Sequence, residues 1–157
     1  MSYSIIGNFD IEGQQFPFKD ICFDVLKILN ERSYSVCFND DILSAESYES
    51  VEDENGNKIP VKVYNSEAFE KAISVLEKKR EDEKSHLAKL EEIRTSVGYY
   101  TMSEDGKNSF EVDLACAMEE LDDIDYKLAA VRYTFDVIQF VSVLYDDKVV
   151  RLKLRAE

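Results

Sequence analysis

Seven apolar side chains between Ala117 and Ile138 constrain this chain more than any other feature. Ala117, Leu121, Ile124, Leu128, Val131, Phe135 and Ile138 recur at alternating steps of four and three residues. An α-helix turns once per about 3.6 residues, so this spacing draws one apolar stripe along a helix for about three heptads. A stripe of that length must be covered, and the chain offers a cover that Arg80 and Glu83 interrupt, which leaves part of the stripe for a second copy in a homodimer. Residues 66–97 read as a second long helix, with Ser66 as its N-cap, Glu67 and Glu70 in the first turn where the dipole favours acids, and Gly98 closing it. The seam helix itself spans Ser109–Leu144, and Asp105-Gly106 is the turn of the intervening loop. Folding the chain back over 98–109 sets Lys84 near Asp123 and Lys89 near Met118. The two helices then make a long antiparallel helical hairpin, coiled-coil-like, over 66–146.

The flanks read as strands. Tyr3, Ile5, Phe9 and Ile11 alternate, with Gly13 as a turn. Pro17 opens a short amphipathic helix over 18–31, on which Phe18, Ile21, Cys22, Val25, Leu26 and Leu29 share one face. Tyr34–Phe38 is a short β-rich run, and 39–57 is an acidic solvated loop. Lys58–Asn65 alternates, with Ile59, Val61 and Val63 on one face and Lys62 and Tyr64 on the other; Pro60 within it suggests an edge position or a strand start. Lys148–Glu157 is a last strand with an apolar face (Val150, Leu152, Leu154) and a basic one (Arg151, Lys153, Arg155). The fold class is α+β: a small antiparallel or mixed sheet with one short helix, from 1–65 and 148–157, and the helical hairpin, together a single domain over 1–157.

Charge narrows the partners. The net charge is −14. Residues 40–56 carry seven acids and no base, and 103–126 carry nine acids against Lys107 alone. Such a chain repels phosphate and anionic lipid, which argues against direct nucleic-acid or membrane binding. Its field draws in basic proteins. The longest apolar run, Val137–Tyr145, contains Gln139 and is far below the roughly 18 residues of a membrane span. The first residues lack the pattern of a secretory signal. The three cysteines (Cys22, Cys37 and Cys116) have no paired spacing, which fits a reducing, cytoplasmic setting.

Catalytic chemistry finds little purchase. His86 is the sole histidine and lies within Glu77–His86, a ten-residue run with no apolar side chain. It gives neither a nucleophile–histidine dyad nor the doubled Glu-x-x-His of a di-iron site. Asp53–Asn57 lacks the glycine position and the terminal glutamate of a calcium loop. Glu119/Asp122 and Glu120/Asp123 are carboxylate pairs three residues apart, and Glu91-Glu92 stands on the other helix. All-α nucleotide pyrophosphatases hold Mg²⁺ with pairs of this layout, but Thr95 stands where a third acid belongs. No catalytic residue, metal site or cofactor is assigned.

The expected function is a non-enzymatic acidic protein-interaction module. It presents Glu119, Glu120, Asp122, Asp123 and Asp125, with Tyr99 and Tyr100 at the hairpin tip, to a basic nucleic-acid-binding protein that it sequesters or inhibits. Viral anti-defence inhibitors share this size and charge, an analogy and not a likeness of motifs. The alternatives are a Mg²⁺-dependent nucleotide hydrolase and a structural module whose 117–138 seam pairs two chains into a homodimer.

Overall fold

The computed structural model describes residues 5–17, 42–52 and 55–156. The helix expected over 18–31 and the strand at Tyr34–Phe38 lie outside the described residues. Among the described residues, five strands form one antiparallel sheet in the order β2-β1-β5-β4-β3, where β1 is Ile5–Ile11, β2 Gln14–Pro17, β3 Ser47–Glu52, β4 Lys58–Tyr64 and β5 Val150–Ala156. Between β4 and β5 run α1 (Ser66–Arg94), the single turn α2 (Val97–Tyr100) and α3 (Glu104–Leu144). The α+β class therefore stands. Among the described residues, no helix is long and apolar enough to cross a membrane.

Local chemistry explains the elements. Glu12 and Gly13 both have positive φ (49° and 93°), as a two-residue turn between right-twisted strands requires, and Asp10 Oδ1 accepts the Gly13 N–H at 2.9 Å. β4 is interior to the sheet, and Pro60 lies near its start, the second of the two placements expected for it. The β4–β5 ladder covers only Lys62–Tyr64, so β5 never asks Pro60 for an N–H. The loop expected over 39–57 is corrected. Ser47–Glu52 is a strand in register with β4, from Ser47 opposite Val63 to Glu52 opposite Lys58. Backbone pairing makes it, while its described side chains stay exposed and polar or aromatic, so hydropathy gives no sign of it.

Helix boundaries moved for reasons of capping. Asn65, not Ser66, caps α1: its Oδ1 accepts the Ala68 N–H at 2.9 Å. Gly98 lies inside α2, and α1 ends at Arg94 with Thr95 as its C-cap. α3 begins five residues earlier than Ser109, because Ser103 Oγ accepts the Gly106 N–H at 3.1 Å and Glu104 and Asp105 fill the first turn. The Asp105-Gly106 turn is thus absorbed into a helix of 41 residues, about 60 Å long.

The core lies between the sheet and the proximal parts of α1 and α3. Phe9 and Ile11 of β1, Tyr64 of β4 and Val150, Leu152 and Leu154 of β5 meet Phe69, Ala72 and Leu76 of α1 and Leu128, Val131, Ile138 and Val141 of α3. Tyr64 and Phe69 rings sit 5.9 Å apart. Five of the seven seam residues are buried, with Leu121 and Phe135 half-buried, and Phe110 and Leu114 extend the stripe toward the N-terminus. α1 and the sheet cover that seam within one chain. On the other face of the sheet Val61 and Val63 are buried as well. There two cations of β5 are paired: Lys153 Nζ binds Glu49 at 2.9 Å and Asp10 at 3.6 Å, and Arg151 binds Glu46 at 3.0 Å.

Candidate protein-binding face

α3 lies against α1, and the ion pairs between them order both helices. Glu77 binds Arg132, Arg80 Nε donates to Asp125 at 2.5 Å, and Arg94 binds Glu111 at 3.2 Å. Each step down α1 is a step up α3, so the helices run in opposite directions. Each of these pairs involves an arginine.

That pairing divides the acidic run. Asp125 is half-buried and held by Arg80, which corrects the expectation of an exposed, unpaired Asp125. Asp123 is exposed but bound by Lys127 one turn along α3 at 2.7 Å, rather than by Lys84. Glu119, Glu120 and Asp122 are exposed, and no described cation pairs with them. Glu119, Asp122 and Asp123 fall three and four residues apart, on the outer face of α3. Glu120 turns to a flank, where it lines a shallow groove of about 360 Å³ with Glu83, His86, Leu90, Asp113, Cys116 and Ala117. Despite that gathering, among the described residues no three His, Cys, Asp or Glu side chains are placed to hold a metal ion.

The two tyrosines at the tip also part ways. The Tyr99 hydroxyl donates to Glu111 at 2.8 Å, and its ring meets Phe110 at 5.4 Å with the Lys107 ammonium 5.8 Å from its centroid. The Glu111 carboxylate accepting its proton holds Tyr99 above the ordinary phenol range. Tyr99 thus ties α2 to the start of α3. Tyr100, 70% exposed, is the one available to a partner, beside the exposed Val97.

Sequence reasoning missed a second apolar group on α3. Phe140, Val143 and Leu144 are 59%, 68% and 56% exposed. Their spacing was visible, but it lay beside the stronger seam pattern. Compared with known proteins, the chain matches no family model, no curated protein and no solved structure.

Proposed function

We propose that the protein is a non-enzymatic binding module whose α1–α3 pair acts as a coiled-coil-like hairpin and presents the acidic outer face of α3 to a basic partner. The partner is a nucleic-acid-binding protein, and the module occupies its phosphate-binding surface as an inhibitor or sequestering agent. One observation carries the reading: Glu119 and Asp122 are exposed, unpaired with any described cation, and adjacent to Asp123 on one helical face. A helix holds such carboxylates at regular intervals, as a backbone holds phosphates. Their field raises the encounter rate with a cationic surface. The exposed thiol of Cys116 fits a reducing compartment such as the cytoplasm.

The test compares immobilised wild type with Glu119→Gln/Asp122→Asn/Asp123→Asn in capture from host lysate, read by mass spectrometry. Basic nucleic-acid-binding proteins should be retained by wild type, displaced by added duplex DNA, and lost from the variant, with the difference shrinking as salt rises. Equal retention by both, or capture that DNA leaves untouched, refutes the reading.

A further inference from the structure

We propose that the distal part of the α1–α3 pair, beyond the Glu77–Arg132 and Arg80–Asp125 ion pairs, is a conformational switch: an arm that opens and closes as one unit while the core stays folded. Three features coincide at the level of those ion pairs. The core cluster ends there, at Leu76 on α1 and Leu128 on α3, and the next buried residue of α3, Ile124, does not join it. A groove of about 630 Å³ opens at the same level, lined by both ion pairs together with Glu81, Leu128 and Ala129. From Glu77 to His86, α1 offers no apolar side chain. A polar, loosely filled layer therefore separates two apolar clusters. Cooperative unfolding spreads through buried apolar contacts, and this layer interrupts them.

The arm has little else to hold it shut. Beyond the layer α1 has no buried side chain: Leu87 and Leu90 are half-buried, and Ile93 is exposed. α3 alone supplies buried residues there, Phe110, Leu114, Ala117 and Ile124. Among the described residues, every buried side chain of β1 and β5 lies on the core side of the layer. The Arg94–Glu111 pair is more than a third exposed at both ends, so it adds little. The tip is nonetheless latched. Glu111 accepts from the Tyr99 hydroxyl and binds Arg94, and the Tyr99 ring meets Phe110 at 5.4 Å. With their tip ends tied, α1 and α3 part along the whole arm rather than fraying from the tip.

The two states present different surfaces. The closed arm displays Glu119 and Tyr100. The open arm bares Phe110, Leu114, Ala117 and Ile124, an apolar stripe spaced by four, three and seven residues. A protein that recognises the acidic face selects the closed state, and one that takes an apolar stripe selects the open one. The opening stands whether or not a basic protein binds the acidic face.

Hydrogen exchange of the full chain, read residue by residue with NMR, tests the proposal. Amides of Leu87–Glu92 and Leu114–Leu121 should share one opening equilibrium, populated ~100-fold or more above that of the Val131–Val141 amides on the same helix. Protection should step up between Ile124 and Val131. Low urea should speed arm exchange with a shallower slope than core exchange, because opening the arm exposes less surface. Ile138→Val should speed exchange at Val131–Val141 by roughly 2- to 12-fold and leave the arm amides unchanged. Leu114→Ala should speed the arm amides by roughly 30-fold or more. The urea slopes of the wild type decide the matter without any substitution. Arm amides as protected as core ones, a smooth slope from tip to core with no step, or arm amides that follow Ile138→Val by the same factor as the core each overturns the proposal.

Discussion

Leu128→Ala tests the seam where the sequence and the packing agree most closely. Leu128 is 4% exposed and joins the cluster that holds Leu76, Val131 and Ile138. Truncation of a buried leucine costs about 2–5 kcal/mol, the spread set by how far the surroundings relax into the space. Here the local geometry favours the lower half. Leu128 also borders the groove beside Arg80 and Arg132, so the vacated volume opens toward water and the arginine stems can settle into it. The expected loss is about 2–3 kcal/mol. Ile138, 2% exposed and enclosed by sheet and helix, has no such outlet, and Ile138→Ala should cost about 3–4 kcal/mol. Urea unfolding followed by circular dichroism reads both, with slopes unchanged if the denatured state is unaffected. A Leu128→Ala loss below about 0.5 kcal/mol would mean that the seam is not packed, and a loss equal to that of Ile138→Ala would refute the argument from the groove.

Asn65→Ala removes the side-chain acceptor of the Ala68 N–H at the start of α1 and should lower stability by about 1 kcal/mol in the same assay, whereas Ser66→Ala should change it little. Lys153 is held protonated above its usual range, chiefly by its hydrogen bond to Glu49 and further by Asp10. A raised folded value contributes stability that is complete below the unfolded value of about 10.4 and disappears as pH climbs through the folded one, so Lys153→Met should show a shallower alkaline loss of melting temperature than wild type. Parallel alkaline limbs for the two proteins would contradict this role.

What could be read in advance was local and periodic. The seam was legible because its spacing is a property of one helix, and β4 and β5 were legible because alternation is a property of one strand. β3 was not, because Tyr48 and Glu49 carry no hydropathy signal and the strand exists through its hydrogen bonds to β4, in a register the chain alone does not declare. The start of α3 was misjudged because Asp105-Gly106 is a turn signal, and the cap supplied by Ser103 outweighs it. The acidic run was visible as charge but not as geometry. Asp125 is three residues from Leu128 and one from Ile124, so it flanks the seam and meets Arg80, while Asp122 points away. Composition treats the two alike; the helical angle separates them.

The packing of α3 decides which of its carboxylates reach solvent. The seam and the sheet fix the rotation of the helix, so Glu119 and Asp122 stay exposed while Asp125, on the flank of the seam, is taken up by Arg80. Buried apolar side chains on one side of a helix thereby set the charge pattern on the other, which a count of acids along the chain does not give.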